Sequence, residues 1–438
     1  KMKEGDFAMD AVSYQDYVNI LKEELVPAMG CTEPIAIAYA AAVLRETLGR
    51  PAERMEVEAS GNIIKNVKSV FVPGTGGLRG IPAAAAAGMA AGDPSLDLEV
   101  LSQIGEAEQA RIREYLACTP ITVKLADSPL IFDILVRAWA GEDSALVRIA
   151  NYHTHIVRIE KNGAVLKDLP VQAAAEEGLT DKSALSVRGI LEFAREADLS
   201  DVEETLSRQI RFNTAIAQEG LRGDYGANIG QVLLSAYGDD VKIRAKAMAA
   251  AGSDARMNGC GLPVVIVSGS GNQGLTASLP VIEYAKELGA DQETLYRALL
   301  VSDLITIHLK AEIGRLSAYC GAVSAGCGSG AGIAYLYGKD KPEEALLKDV
   351  SHTIVNSLAV VSGMVCDGAK ASCAAKIASA VDAGILGFTM YQQGQQFRGG
   401  DGIISKGVEE TIHNIGLLAT QGMRETDREI LDIMTTRC

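Results

Sequence analysis

The sequence lacks a long hydrophobic run, an excess of positive charge and a large complement of aromatic residues. No stretch reaches the roughly eighteen consecutive apolar residues of a membrane helix, and the first ten residues carry too much charge for a signal peptide. We therefore expect a cytoplasmic protein without a membrane partner. With 41 basic and 56 acidic residues the formal net charge is −15, which disfavours nucleic acid. A small molecule is the expected partner.

Histidine is scarce, and the cysteines do not follow the spacing of a structural zinc site. Of the five histidines, only His153 and His155 lie close together, and we expect both on the solvated face of a strand. Eight cysteines without a secretion signal do not predict disulfides, and paired C-x₂₋₄-C knuckles are missing. The thiols are therefore buried apolar groups, nucleophiles or ligands of another metal centre.

The hydrophobic period changes twice along the chain and predicts three regions. Residues 1–52 contain helices that we expect to pack on the catalytic domain, and residues 53–172 are rich in short Val, Ile and Phe segments typical of a sheet. Residues 173–438 have helical spacing interrupted by glycine clusters. The expected fold class is α+β, with a large, mainly helical catalytic domain and a smaller α/β domain containing the sheet. A homo-oligomer is possible.

Four of the eight cysteines fall within one short window of the helical region: Cys320, Cys327, Cys366 and Cys373. The glycines near them are Gly321, Gly326, Gly328 and Gly368. Glycine lets backbone amides approach a sulfur and stabilise a thiolate bound to iron. On spacing alone, packing of the cysteines between helices is an equally good interpretation.

Five sequence blocks resemble a known enzyme family in the same order along the chain. They are GCTEPIAIAYAAA, GNIIKNVKSVFVPGTGGLRGIPAAAAAG, SGSGNQGLTASLP, GRLSAYCG and GMVCDGAKASCAAK, and they extend from about residue 29 to residue 380. The chain resembles the L-cysteine desulfidase family, which is related to the α portion of the iron–sulfur serine dehydratases. The resemblance implies a lyase, independent of pyridoxal phosphate, that uses an oxygen-sensitive [4Fe–4S] cluster to split L-cysteine into pyruvate, ammonia and sulfide.

The resemblance also implies the ligands of the cluster. The serine dehydratase pattern falls on Cys320, Cys366 and Cys373. Many relatives carry Cys-Gly-Cys where this chain has Cys320, a glycine and an alanine, so Cys327 could replace Cys320. Two further cysteines are alternate ligands: Cys31 could be a fourth ligand, and the final residue, Cys438, could reach the open iron when substrate is absent.

A β-elimination needs a base for the α-proton and an electrophile for the leaving group. A positioned base supplies roughly 10²–10⁴-fold, and a cluster held by only three thiolates leaves one iron open as a Lewis acid. Cys31 lies at the start of a predicted helix, where the macrodipole should lower the pKa of a thiol. We expect Cys31 to be the base, with Glu33 as the alternative.

The loop Gly269–Gly274 is the best candidate for binding the substrate carboxylate. It follows an apolar run and precedes a helix, so Ser270, Asn272, Gln273 and backbone amides could hold an anion there. The same pattern fits a dinucleotide fingerprint, but we expect Pro280 to interrupt the helix, and no βαβ repeat follows. Further candidates for substrate binding are Thr32, Asn62, Lys65, Lys310, Arg315 and Lys370.

The sequence is compatible with several functions. L-Serine differs from L-cysteine by one atom, and no residue distinguishes the two substrates. A lyase dependent on pyridoxal phosphate would use a Schiff-base lysine. A non-catalytic sensor of iron, oxygen or cysteine would keep the cluster without turnover.

Overall fold

Helices dominate the computed structural model, which describes residues 11–171 and 179–436. The α-helices are α1 (Ala11–Glu24), α2 (Thr32–Leu48), α3 (Gly61–Val67), α4 (Gly80–Ala91), α5 (Glu106–Cys118), α6 (Val187–Glu196), α7 (Glu203–Arg222), α8 (Ile229–Tyr237), α9 (Val241–Met257), α10 (Gly271–Glu287), α11 (Gln292–Ile313), α12 (Gly321–Gly338), α13 (Glu343–Val361), α14 (Cys373–Gln392), α15 (Val408–Leu417) and α16 (Arg424–Thr436). The strands are β1 (Pro27–Met29), β2 (Arg54–Ala59), β3 (Ile121–Leu125), β4 (Asp133–Ala140), β5 (Asp143–Ala150), β6 (Ile156–Lys161), β7 (Ala164–Asp168) and β8 (Pro263–Val265). The predicted α+β fold class is confirmed.

Six strands form one mixed sheet in the order β3-β2-β4-β5-β6-β7, in which only β2 and β3 run parallel. Most of the predicted strand segments lie in this sheet. The segment SVFVPG is an exception, since within it Phe71 makes only an isolated bridge to Arg79. The chain turns immediately afterwards, at Gly74, Gly76 and Gly77, which all have positive φ. A strand cannot continue through such a turn.

Helix α2 connects the sheet to the rest of the molecule. It starts after Cys31 and ends at Leu48, and the next residue, Gly49, has a φ of 84° and gives a left-handed cap, as glycine often does at the end of a helix. It packs on α4 so closely that a Cβ on Gly88 would lie 1.9 Å from the carbonyl oxygen of Ala38, and it also contacts β4 and β5. Strand β1, just before it, pairs with β8 of the helical region. The division into three regions stays a prediction.

Helix α12 lies at the centre of the helical region and packs against α10, α11, α13 and α14. A Cβ on Gly326 would meet the backbone of Ala380 at 2.4 Å, and one on Gly328 would lie 2.2 Å from Thr306 Oγ1. These two glycines therefore permit close helix packing. The prediction that they bring amides to a metal-bound sulfur is wrong for both.

Helix α10 continues through Pro280, so the predicted interruption is also wrong. Proline removes one helical hydrogen bond, but α10 is buried from Gln273 to Ala285 and packs against α9, α11 and α12. Tertiary packing holds the helix where the local sequence would break it.

Among the described residues, one helix is long and apolar enough to cross a membrane, and it is α14. Half of its apolar window is buried inside the protein, against α9, α12 and α13. A long apolar helix is typical of a protein core as well as of a membrane span.

Candidate active site at four helix N-termini

A cavity of about 100 Å³ lies among the starts of several helices. Two groups of side chains line it, and each keeps one name below. The thiol cluster is Cys320, Cys366 and Cys373. The polar cluster is Cys31, Glu33, Asn66, Arg256, Ser270, Asn272 and Gln273.

Four helices begin at the cavity. Cys31, Ser270 and Cys320 are the N-cap residues of α2, α10 and α12, and Cys373 is the first residue of α14. The N-terminus of a helix carries a partial positive charge and free N–H groups. The arrangement therefore favours negative charge in the cavity, whether a thiolate, a carboxylate or an anionic cofactor.

Backbone hydrogen bonds fix the thiol cluster. The amide of Cys320 donates to the carbonyl oxygen of Met364 at 3.0 Å, and the amide of Cys366 donates to Ala318 at 2.6 Å. These bonds join two chain segments that are about 45 residues apart in sequence. Cys373 follows Cys366 by seven residues and is the first residue of α14.

Burial keeps the thiols of Cys320 and Cys373 in their neutral form. Burial raises the pKa of Cys320 to about 12, and Cys366 and Cys373 raise it further. Burial also raises the pKa of Cys373, although Lys370 opposes the effect. Metals bind the thiolate, so loading of metal at this site would release protons.

The donor set fits an iron–sulfur cluster. Within residues 11–171 and 179–436, no group of three or more His, Cys, Asp or Glu side chains is arranged to hold a metal ion. In a cluster each thiolate binds a different iron, so its ligands need not converge on one point. Three thiols at one cavity, with Gly321 and Gly368 beside them, match that requirement.

Glu33 is the centre of the polar cluster. Its carboxylate accepts hydrogen bonds from the thiol of Cys31 at 3.0 Å, the hydroxyl of Thr32 at 3.2 Å and the amide nitrogen of Asn66 at 3.0 Å. Thr32 also donates to the carbonyl oxygen of Gly269 at 2.8 Å. The network ties the start of α2 to the loop before α10.

The protonation states of Cys31 and Glu33 differ from the prediction. Burial raises the pKa of Cys31 well above its usual value, and the Glu33 carboxylate raises it further. Burial opposes ionisation of Glu33 as well, but His153, the Cys31 thiol and Arg256 outweigh it, so the pKa of Glu33 is lowered. The prediction that the helix dipole makes Cys31 a thiolate is therefore wrong for the protein as it stands. Glu33 is the anion of the pair.

Three polar atoms of the polar cluster are buried without a hydrogen-bond partner among the described residues: Asn66 Oδ1, Arg256 Nε and Gln273 Oε1. Buried polar atoms are rarely left unsatisfied. Arg256 is held in place by a bond of 3.1 Å from its Nη1 to Asn272 Oδ1. A polar ligand would complete these bonds.

The sequence did not predict Arg256 at the cavity, and it predicted the wrong surroundings for His153. Arg256 is the penultimate residue of the Ala-rich helix α9 and is buried, and the sequence around it carries no signal of a role in the site. His153 lies in the turn between β5 and β6, and not on a strand. It is only 5 % exposed, and its Nε2 has no hydrogen-bond partner among the described residues. The predicted solvated strand face is therefore wrong.

Positive side chains also surround the cavity. Lys310, Arg315 and Lys376 line it. Arg315 donates to Glu24 Oε1 at 2.7 Å, and Lys310 donates to the carbonyl oxygen of Arg315 at 3.4 Å. Lys376 was not predicted.

Four predicted substrate residues do not line the cavity: Thr32, Asn62, Lys65 and Lys370. Lys65 is buried and pairs with Asp427 at 2.5 Å, and it also donates to the carbonyl oxygen of Cys366 at 3.4 Å. Lys370 pairs with Asp367 at 2.5 Å. Both lysines already have partners and support the segment around the thiol cluster.

The alternate ligands are placed differently from one another. Cys327 is fully buried inside α12, where its sulfur faces the carbonyl oxygen of Ile354 on α13 at 3.7 Å, and it does not line the cavity. Its position therefore corrects the suggestion that it replaces Cys320. Cys31 does line the cavity. Cys438 lies outside the described residues.

Comparison with known proteins agrees with this arrangement. The family described as serine dehydratase alpha chain matches residues 95–432. The chain belongs to the serine dehydratase alpha-chain family. Membership of this family supports an iron–sulfur amino-acid lyase.

Curated relatives cover nearly the whole length of the chain. A protein named UPF0597 protein DSY1109 from Desulfitobacterium hafniense is 61 % identical over 97 % of this chain and 97 % of its own. UPF0597 proteins from Lachnoclostridium phytofermentans and Treponema denticola are 52 % and 44 % identical, over 96 % and 98 % of this chain and 99 % of each relative. These names state no substrate.

Proposed function

We propose that this protein is a cysteine desulfidase, an iron–sulfur lyase that converts L-cysteine into pyruvate, ammonia and sulfide. The observation that carries the proposal is the pairing, in one small cavity, of three thiols with a carboxylate and an arginine that has an unsatisfied buried nitrogen. The family supports the reaction class, and the substrate is our proposal. We further propose a cytoplasmic location, in keeping with a cofactor that needs reduced thiols.

Arg256 and the start of α10 would bind the carboxylate of the substrate. A guanidinium donates two parallel hydrogen bonds to a carboxylate, and Arg256 keeps its Nε available. The N-terminus of α10 adds amides and a partial positive charge next to Ser270, Asn272 and Gln273. Gly321 leaves room for Gln273, because a Cβ there would lie 2.8 Å from its Nε2.

Glu33 would take the α-proton. Its pKa is lowered, so it is ionised at neutral pH, and it already accepts a hydrogen bond from the thiol of Cys31. Once protonated, Glu33 would still accept the hydrogen bond from the amide nitrogen of Asn66. Glu33 is buried, and burial strengthens each of these electrostatic interactions.

Cys320, Cys366 and Cys373 would hold the cluster. When bound, it would supply an open iron, a Lewis acid for the leaving group. A sulfur leaving group suits this role, because soft sulfur donors match iron–sulfur centres. L-Serine is the second candidate, because the matching family is described by that substrate.

An anaerobic assay tests the proposal. The iron-loaded protein is supplied with L-cysteine, L-serine and their D-enantiomers, and pyruvate and sulfide are measured together. We expect equal amounts of pyruvate and sulfide from L-cysteine. Pyruvate from L-serine at a higher kcat/KM would assign the protein as a serine dehydratase.

Two further outcomes would reject an iron–sulfur lyase. Full iron loading without pyruvate from any of these amino acids would indicate a sensor. Trapping of a lysine–pyridoxal phosphate adduct with borohydride would indicate a different cofactor.

A further inference from the structure

A second cavity, of about 390 Å³, lies between α13 and the loop that joins α14 to α15. We call it the basic pocket. One side is a face of α13 formed by Lys348, Ser351, His352 and Val355, which are spaced so that they share that face. The other side is formed by two arms of the loop, Gln396–Gly399 and Ser405–Val408. None of these residues lines the candidate active site.

The pocket is positively charged in a strongly acidic protein. Lys348, Arg398 and Lys406 line it together with His352, and no Asp or Glu side chain is among the described residues that line it. The charged groups of these three cations form no ion pair among the described residues. The carboxylate nearest in the loop, Asp401, accepts a hydrogen bond from the backbone amide of Arg398 at 2.6 Å. The chain as a whole has a net charge of −15, so this concentration of positive charge is local.

The loop is fixed in the shape that brings these cations together. A Cβ on Gly399 would lie 2.9 Å from the Cα of Lys406, so the two arms can approach only because residue 399 is glycine. The amide of Phe397 donates to the buried side chain of Asn356 at 2.9 Å, and the amide of Ser405 donates to Thr411 Oγ1 at 3.2 Å. Both arms are therefore anchored before any ligand binds, which reduces the entropic cost of binding.

Apolar and planar groups lie beside the charges. Leu347, Val355, Phe397 and Val408 line the same pocket, and the ring of His352 stacks on Tyr391 with centroids 4.6 Å apart. A volume of this size is within the range of sites for small organic ligands. The ligand that fits carries several negative charges at one end and an apolar or planar body at the other.

We propose that the basic pocket binds a small phosphorylated metabolite of the nucleoside diphosphate class. Lys348, Arg398 and Lys406 contact the phosphates, since charge-assisted hydrogen bonds to phosphate are strong. Ser351 and Ser405 offer hydroxyl donors, and Phe397 contacts the base. This site is separate from the lyase reaction and does not depend on it.

Calorimetric titration of the anaerobic, iron-loaded protein with ADP, pyrophosphate and adenosine tests the proposal. We expect ADP to bind, pyrophosphate to bind more weakly and adenosine not to bind. The triple variant Lys348→Gln, Arg398→Gln, Lys406→Gln should lose about tenfold or more in affinity for ADP. The matched control, Arg111→Gln, Arg222→Gln, Arg428→Gln, removes the same charge from exposed side chains and should bind ADP like the wild type.

Three results would overturn the proposal. The first is absence of ADP binding, and the second is equal ADP affinity of the triple variant and the control. The third is equal affinity of the protein for pyrophosphate and ADP, which would show that the site binds phosphate without contacting a base. Thermal melting of both triple variants shows whether they are folded. Because no amino acid or turnover is involved, this experiment can fail while the proposed lyase activity stands.

Discussion

The thiol cluster and the polar cluster line the same cavity but are prepared for different ligands. The sulfurs of Cys320 and Cys373 are neutral in the described protein and are positioned by backbone bonds in the segments before α12 and α14. The polar cluster is already ionised at Glu33 and keeps several buried atoms without partners. The comparison indicates that the thiol cluster needs bound metal to become charged, whereas the polar cluster is already arranged to bind a polar substrate.

The largest effect should come from removing a member of the thiol cluster. Cys373→Ser replaces a soft sulfur ligand by a weak oxygen ligand, and we expect loss of bound iron and at least about a 10³-fold loss of activity, because the Lewis acid is lost. Iron and sulfide content and the visible absorbance of the anaerobic protein measure the change. The matched control is Cys327→Ser, which lies outside the cavity and should keep its iron. Equal iron loss in both variants would contradict the assignment.

The next effect should come from the centre of the polar cluster. Glu33→Gln keeps the shape of the side chain but removes the base, so we expect kcat to fall by roughly 10²–10⁴-fold while iron content is unchanged. Anaerobic steady-state kinetics with pyruvate detection gives the result. Cys31→Ala is the companion variant. If that variant loses kcat while Glu33→Gln does not, the thiol is the base and our assignment is wrong.

A smaller effect is expected at Arg256. Arg256→Gln removes the charge that faces the substrate carboxylate, and kcat/KM should fall by about 10- to 100-fold, mostly through KM. Arg256→Lys should recover only part of the loss, because lysine cannot form the two parallel bonds. Unchanged KM in both variants would place the substrate carboxylate elsewhere.

The smallest expected effect is that His153, beside the polar cluster, makes the unfolding free energy depend on pH. Burial lowers the pKa of His153 to about 4, although Glu33 opposes the effect. Between this value and the unfolded pKa of about 6.5, the unfolded chain binds more protons, so stability is full above pH 6.5 and falls as the pH decreases. Between pH 7 and pH 5, the unfolding free energy of the wild type should therefore fall by about 2 kcal/mol more than that of the variant His153→Gln.

Urea unfolding at the two pH values measures this difference. The control is His413→Gln, a histidine whose side chain is 58 % exposed. The same pH slope in wild type and His153→Gln would show that His153 does not titrate as described.

The sequence alone determined the family, the fold class and the start of α2. These features depend on local signals, such as apolar period, helix caps and ordered motif blocks, which act over a few residues. The thiols of the cavity were also predicted, because the blocks around Cys320, Cys366 and Cys373 are distinctive. The roles of Gly326 and Gly328 were misjudged, because Cys327, the cysteine between them, does not line the cavity.

Only the tertiary structure decided the charges and the remaining members of the site. Arg256 and His153 reach the site region from distant elements, and nothing within a few residues of either indicates this. Burial and neighbouring charges, and not the helix dipole, set the protonation of Cys31 and Glu33. A pKa depends on everything packed around a group, and the folded chain brings those neighbours together from more than two hundred residues apart.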